Sequence, residues 1–218
     1  AQVSKLLGEE TESFIKQFQE LEHKIFDFYW DSRQGAFIDS FTSCRKHVTR
    51  HANIFAIVFE LVPEERKAAI VKNVLMNAKI PQITTPYFKF YELDALCRMG
   101  LHKEVLCQMK DYWGGMLARG AVTFWEEYDP NVPKEEQYDM YGDKFGKSLC
   151  HAWSASPIYL LAKYFVGLSV TEPDSGQYEI NPHLEEFGSL ECALPWGRDD
   201  VQVRGGGRAY ECRITARS

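Results

Sequence analysis

Aromatic and acidic side chains crowd one stretch in the middle of the chain. Residues 112–153 include nine aromatic residues in 42 positions, and the run Trp125-Glu126-Glu127-Tyr128-Asp129 lies among them. Flat aromatic faces pack on the C–H face of a sugar ring, while carboxylates accept hydrogen bonds from its hydroxyls. An ionised carboxylate can also deprotonate a water that attacks an anomeric carbon. The stretch therefore predicts a carbohydrate site, although buried tryptophans and solvated acids would give the same pattern.

Other reactive side chains give weaker signals. His151 stands just before the last expected helix, where capping or core packing also explains a histidine. His47 and His51 are four residues apart, but no glutamate occupies the HExxH position, so no metal site is predicted. Cys150 and His151 are sequence neighbours, which does not make them a catalytic pair. The glycines at 205–207 lack the spacing of a phosphate loop, and we predict no cofactor.

The overall composition excludes several classes of protein. The chain has 218 residues, is 45% hydrophobic, and carries a net charge of −6 from 25 basic and 31 acidic residues. No basic stripe indicates a nucleic-acid partner. No apolar run approaches the roughly 20 residues of a membrane span, so no membrane partner is predicted. The six cysteines form no CxxC pair, which indicates free thiols. No secretion signal is visible, which leaves the compartment open between cytoplasm and periplasm.

Helical periodicity covers the chain up to Gly167, except for residues 120–149. The first helix is expected from Val3 to about Trp30, with one buried apolar stripe formed by Phe14, Phe18, Leu21, Ile25 and Phe28. Start and stop signals predict five more helices: about 48–62, from Pro63, from Thr85-Pro86 to Gly100, from about His102, and from Ser156-Pro157 to Gly167. Helices of this length joined by short turns form antiparallel hairpins, so six helices predict three hairpins.

Two stretches lack this period. Residues 120–149 carry prolines and glycines with charges between them, and a loop this long in a compact domain is usually either functional or disordered. Its aromatic content favours an ordered loop. After Gly167 the apolar residues alternate, as at Leu190, Cys192 and Leu194, which predicts antiparallel strands. The predicted fold class is mainly α. A domain of helical hairpins at residues 1–167 is followed by a small, sandwich-like antiparallel β domain at 168–218.

Five motifs, taken together in order, resemble a known family. They are Thr85-Pro-Tyr-Phe-Lys-Phe-Tyr91, the stretch 96–100, Trp113-Gly-Gly-Met-Leu117, Gly120-Ala-Val-Thr-Phe-Trp-Glu126 and Ser148-Leu-Cys-His-Ala-Trp-Ser-Ala-Ser-Pro157. Their order and spacing resemble the C-terminal half of the catalytic domain of bacterial α-L-rhamnosidases, glycoside hydrolase family 78. The resemblance runs from about His51 to Gly167, and the strands after it are similar to the C-terminal β-sandwich of that family.

The resemblance implies a fold and a reaction. The fold would be an (α/α)6 barrel, and the reaction would be inverting hydrolysis with one acid and one base. The family's Gly-Ala-Thr-Thr-x-Trp-Glu motif supplies the base, and it falls on residues 120–126 with Val122 in place of the first threonine. Glu126 is therefore the expected general base. His151 falls on the histidine that contacts the bound sugar in the family.

Three more residues are candidates for binding the substrate. Trp125 and Trp153 are expected to wall the pocket, an inference from their positions and not a role taken from the family. Glu127 is a weaker candidate, and either Glu127 or Asp129 could tune the base.

The general acid of the family is missing. It comes from an acidic, arginine-containing segment upstream, and residues 1–50 hold no match to that segment. Six helices are also half of a twelve-helix barrel. The sequence therefore predicts a fragment with the base but not the acid, inactive alone. Its expected partners are a rhamnoside, the missing N-terminal part of the same parent chain, and other copies of itself through exposed helix faces.

Two alternatives stay open at this point. One is a non-catalytic carbohydrate-binding or scaffolding module, which would keep the aromatic wall but need no base. The other is a different (α/α) toroid glycosidase or lyase, in which Glu126 would still be catalytic but the sugar would differ.

Overall fold

The computed structural model describes residues 2–170, 177–196 and 199–216. It divides into a first unit, Ala1–Ile83, and a second unit, Thr84–Ser218. The α-helices are α1 (Gln2–Leu6), α2 (Glu12–Tyr29), α3 (Arg50–Val58), α4 (Glu64–Ile70), α5 (Pro86–Arg98), α6 (His102–Ala118) and α7 (Ser156–Leu160). The strands are β1 (Trp30–Asp31), β2 (Ala36–Phe37), β3 (Leu168–Val170), β4 (Tyr178–Ile180), β5 (Leu190–Trp196), β6 (Asp199–Gly206) and β7 (Ala209–Ala216).

The first predicted helix differs from the structure in two respects. It is broken into α1 and α2, and Gly8 lies between them with a left-handed φ of 69°. The expected buried stripe of α2 is not buried: Phe14, Phe18, Leu21 and Phe28 are all exposed, and no residue of α2 is buried. The pattern was regular enough to predict the helix, but the described residues leave its apolar face open to solvent.

The core of the first unit lies around α3 and α4. Asn53 of α3 is fully buried, accepts a hydrogen bond from the Phe37 N–H (2.8 Å) and donates one to the Phe37 carbonyl (2.9 Å). The Asn53 side chain thus satisfies the N–H and the carbonyl of Phe37, as the backbone of a neighbouring strand would. Arg50 is also buried, and its guanidinium donates to the carbonyls of Leu75, Asn77, Ile80 and Pro81. Helix α4 continues into a π-helical turn, Val71–Leu75.

In the second unit, α5 and α6 form a helical hairpin with α7 packed on α5. Helix α5 begins at Pro86, where a missing N–H costs nothing, and the turn to α6 contains Gly100 at a left-handed φ of 72°. Helix α7 continues into a π-helical turn, Leu161–Phe165. The helices predicted from residue 48 onward are therefore all found, with somewhat shorter limits.

Two small antiparallel sheets complete the second unit: β3 pairs with β4, and β5, β6 and β7 form a three-stranded sheet in chain order. Val201 and Val203 of β6 pack with Val166, which follows the last helical turn, in one buried cluster. Gly167 joins the helical and β parts. Its φ is 76°, and a Cβ there would lie 1.9 Å from the Asn181 carbonyl oxygen, so only glycine fits.

The predicted domain boundary at Gly167 stays a prediction. The division into units falls earlier, between Ile83 and Thr84, whereas the change from helix to strand does occur at Gly167. All six cysteines are free thiols, and burial raises the pKa of Cys97 to about 12. Across the described ranges, no helix has both the length and the apolar character needed to cross a membrane.

Candidate functional site

Backbone hydrogen bonds order the long loop between α6 and α7. The Glu126 N–H donates to the Ser148 carbonyl (2.9 Å), and the His151 N–H donates to the Phe124 carbonyl (2.8 Å). The segments 124–126 and 148–151 therefore run side by side although neither is a strand. This pairing brings Glu126 and His151 together across 25 residues of sequence, which explains how a loop without helix or sheet can hold a defined site.

Glu126 is nearly buried, with 5% of its surface exposed. Its Oε1 accepts a hydrogen bond from the Tyr141 hydroxyl (2.7 Å), and its Oε2 accepts one from the Ser148 N–H (3.0 Å). His151 Nδ1 lies 3.9 Å from Oε2. The Ser148 N–H, followed by the Tyr141 hydroxyl, lowers the pKa of Glu126, because both bonds favour the ionised form. The carboxyl group is thus held as a carboxylate near neutral pH.

Trp153 provides an aromatic surface beside this carboxylate. Its ring is 4.0 Å from the ring of His151, centroid to centroid, and its Nε1–H donates to the Glu126 carbonyl (3.4 Å). The residue is 41% exposed. Tyr87, at the start of α5, lies 5.8 Å from the Trp153 ring on the same aromatic surface. The structure therefore groups three of the predicted site residues, Glu126, His151 and Trp153.

The other two predicted residues are placed differently. Trp125 is only 3% exposed and packs edge-on against Tyr138 (5.6 Å), so it does not present an open face to a ligand. Glu127 Oε2 lies 3.9 Å from Nζ of Lys147, a lysine whose pKa is lowered by burial and whose Nζ donates to the Gln137 carbonyl (2.6 Å). Asp129 accepts from the Asn131 N–H (2.8 Å) and closes a local turn.

Helix α6 contacts the loop at two places and holds it in position. The Nε1–H of Trp113 donates to the Ser154 carbonyl (2.9 Å), which fixes the short 3-10 turn containing Trp153. Gly115 faces Tyr128, and a Cβ there would lie 2.3 Å from the tyrosine hydroxyl. The absence of a Cβ at Gly115 thus allows the loop to approach the helix closely at Tyr128.

The sequence did not single out two residues of this site. In the sequence Tyr141 is one aromatic among nine, and the Ser148 N–H cannot be identified, because a backbone donor has no signature in the side-chain pattern. The available signal for Tyr141 was its position before Gly142, which indicates a turn that projects the tyrosine from the loop.

A nearby surface depression of about 490 Å³ does not contain the predicted site residues. It is lined mainly by Glu135, Glu136, Asp139, Asp143 and Lys144. Among the described residues, no group of three or more histidine, cysteine, aspartate or glutamate side chains is arranged to hold a metal ion. The Glu126 site therefore combines a buried, hydrogen-bonded carboxylate with a part-exposed imidazole and an exposed indole.

Comparisons with known families and solved structures indicate which proteins this chain resembles. The family model described as the bacterial alpha-L-rhamnosidase 6 hairpin glycosidase domain matches residues 1–165. A crystal structure of a GH78 family rhamnosidase of Bacillus sp. GL1 is similar to this chain, with a TM-score of 0.78 and 24% sequence identity. No curated protein matches the sequence.

The structural match covers 94% of this chain but only 22% of the rhamnosidase chain. At this identity the likeness shows the fold. It confirms the predicted fold class, a region of helical hairpins followed by a small β region.

Proposed function

Because the chain belongs to the six-hairpin glycosidase domain family of bacterial α-L-rhamnosidases, as its motifs predicted, we propose that Glu126 is the general base of an inverting hydrolase that removes terminal α-L-rhamnose. The observation that carries the proposal is the state of this carboxylate. It is held by two hydrogen bonds that favour ionisation, beside a histidine and an exposed tryptophan.

The geometry supports water activation. A carboxylate offers about four lone-pair sites, and the Tyr141 and Ser148 bonds occupy two of those on Glu126. A remaining site accepts the proton of a water whose oxygen attacks the anomeric carbon. The C–O bond to the leaving group breaks at the same step, and a general acid protonates the leaving oxygen. Attack from the face opposite the leaving group inverts the anomeric configuration.

We assign the general acid to a part of the parent protein outside these 218 residues. In inverting enzymes the two carboxyl groups stand about 6.5–9.5 Å apart, which leaves room for the water. Glu127, the carboxyl group next along the chain, faces Lys147 and is not a good candidate. The chain spans 22% of the rhamnosidase that it resembles structurally, so there is ample length elsewhere for the acid. The isolated chain is then expected to be inactive.

Sugar binding is proposed for His151 and Trp153. The exposed indole face suits the apolar C–H face of a deoxy sugar, and the imidazole can hydrogen-bond to a hydroxyl. We propose a supporting role for Trp125, whose buried ring packs the loop against Tyr138, and no direct sugar contact for Glu127.

The rest of the parent chain is the proposed partner of α2. The stripe of Phe14, Phe18, Leu21 and Phe28 is a contiguous apolar helix face of the kind that packs on another helix. In the isolated chain the same face would favour self-association.

The experiment is hydrolysis of a panel of chromogenic α-L-rhamnosides by the full-length parent protein. Glu126→Gln is expected to lower kcat about 10²- to 10⁴-fold, the usual contribution of a general base. Glu127→Gln serves as the matched control and should retain most activity. Azide should restore turnover of the Glu126 variant by replacing water and give the glycosyl azide of inverted configuration. Full activity of Glu126→Gln would remove the proposal.

The same variants distinguish a hydrolase from a non-catalytic binding module. In that case Glu126→Gln would leave sugar binding intact and the parent would hydrolyse no member of the panel. Activity confined to another sugar would instead favour a different toroid glycosidase.

A further inference from the structure

The Tyr141 hydroxyl is the side-chain donor to Oε1 of Glu126, at 2.7 Å. The tyrosine itself is 78% exposed, so its ring gains little from burial. A large aromatic residue on the surface is held in this orientation mainly by its backbone and by the bond to the carboxylate. Packing alone therefore does not explain its presence.

The backbone at Tyr141 is unusual for a tyrosine. Met140 and Asp143 exchange two hydrogen bonds of 2.9 Å and close a two-residue turn, with φ of 55° at Tyr141 and 79° at Gly142. Two successive left-handed residues define a type I′ turn, in which asparagine, aspartate or glycine is the usual first residue. A tyrosine there carries a conformational cost, and strain of this kind is concentrated at functional sites.

The residues that follow the turn also pack against it. A Cβ on Gly146 would lie 2.2 Å from the Met140 carbonyl oxygen, so the chain after the turn packs directly on its first residue. The strained turn is thus seated on the loop, and its projecting hydroxyl points at Glu126.

We propose that Tyr141 is a positioning residue for the general base: its hydroxyl fixes Oε1 while the Ser148 N–H fixes Oε2, so that the carboxylate cannot rotate away from the attacking water. This inference rests on the proposed function of Glu126. It deepens that function by assigning one exposed tyrosine a role in the reaction, although the tyrosine need not touch the sugar.

The chemical consequence follows from the two bonds. Both stabilise the ionised carboxylate, so removal of the hydroxyl should raise the pKa of Glu126 and loosen its orientation. Hydrolysis should then lose kcat, and the acid limb of its pH profile should move to higher pH. Loss of a hydrogen bond to a charged group corresponds to about 10- to 100-fold. Because no sugar contact is removed, KM should change little.

The first test uses the isolated chain and does not depend on activity. The Glu126 carboxyl carbon, assigned by its loss in Glu126→Gln, is titrated by ¹³C NMR. Tyr141→Phe should raise the pKa of Glu126, whereas Tyr210→Phe, an equally conservative change at another exposed tyrosine, should not. Tyr141→Asn removes the hydroxyl but suits the left-handed backbone, so it should raise that pKa while preserving the turn. An unchanged Glu126 pKa in both Tyr141 variants would overturn the inference.

The second test uses the full-length parent. Tyr141→Phe should lower kcat and shift the acid limb of the pH profile upward, by as much as the NMR titration shifts. If Glu126→Gln keeps full activity, the proposed function fails. If Glu126→Gln is inactive but Tyr141→Phe retains the wild-type pH profile and kcat, only the Tyr141 inference fails.

Discussion

Helix α2 and the loop at 121–155 distribute their side chains in opposite ways. The helix is regular and amphipathic, yet its described residues include none that are buried. The loop has no α-helix and almost no strand, yet it buries Trp125, Glu126 and Tyr128. The helix is ordered by the hydrogen bonds of its own backbone, whereas the loop is ordered by tertiary contacts. Regularity of secondary structure is therefore no guide to how firmly a side chain is held.

The comparison gives functional sites a physical basis. Although it lies in a loop, Glu126 is fixed by the Tyr141 hydroxyl, the Ser148 N–H and the pairing of two loop segments. Several independent contacts hold a reactive group more narrowly than one element does.

The largest expected effect on stability is in the loop. Gly146→Ala would place a methyl group against the Met140 carbonyl, so the turn must move, at a cost of about 1–3 kcal/mol in unfolding free energy. Gly114→Ala in α6, where a Cβ meets nothing within 4 Å, is the control and should be neutral or stabilising. Urea unfolding of both variants measures the difference. Equal stabilities would mean that the loop is not tightly seated.

The next effect is the pH dependence contributed by Glu126. Its pKa is lowered in the folded state, so its ionisation stabilises the fold fully above the unfolded value of 4.5. That stabilisation is lost as the pH falls below 4.5 through the folded pKa. The difference in unfolding free energy between wild type and Glu126→Gln should therefore shrink as the pH falls from 6 to 3.

Glu135→Gln, at an exposed position of the same loop, is the control for that measurement. A Glu126 difference that is constant from pH 6 to 3 would contradict the hydrogen-bonding scheme.

The smallest effect on stability is expected in α2. Replacing both Phe14 and Phe18 by serine should change the unfolding free energy by less than about 0.5 kcal/mol per site, because both are exposed. Self-association should nevertheless weaken, as measured by sedimentation at increasing protein concentration. Lys16→Ser with Glu20→Ser is the control on the same helix. A wild-type chain that stays monomeric at high concentration would contradict the proposed self-association through the apolar face of α2.

Local signals made much of the fold predictable. Pro86 and Gly100 mark the ends of α5 and its turn because proline and glycine restrict or release the backbone at those very positions. The alternation at Leu190 and Cys192 identifies β5 for a similar reason, since one face of the strand packs on the valine cluster. Such signals depend on neighbours in sequence and need no knowledge of the tertiary structure.

The errors arose where the partner is distant. The α2 stripe predicted burial, but periodicity cannot say whether the described chain supplies a covering surface. In the site, the motifs led to Glu126 and His151, whereas Trp125 and Trp153 were inferred alike from their positions. Only tertiary contacts separate the buried ring of Trp125 from the exposed ring of Trp153. The sequence alone does not identify Tyr141, because its role depends on a turn that directs its hydroxyl to a residue 15 positions earlier in the chain.

One carbonyl group joins the start of α5 to the loop that holds Glu126. The Thr84 oxygen accepts from the Tyr112 hydroxyl (2.5 Å) and from the Tyr128 N–H (3.0 Å). Because α5, α6 and the loop all meet at this one oxygen, independent movement of the three is restricted. Tyr87, three residues beyond Thr84, is therefore connected to the loop both through this carbonyl and through its ring contact with Trp153 (5.8 Å).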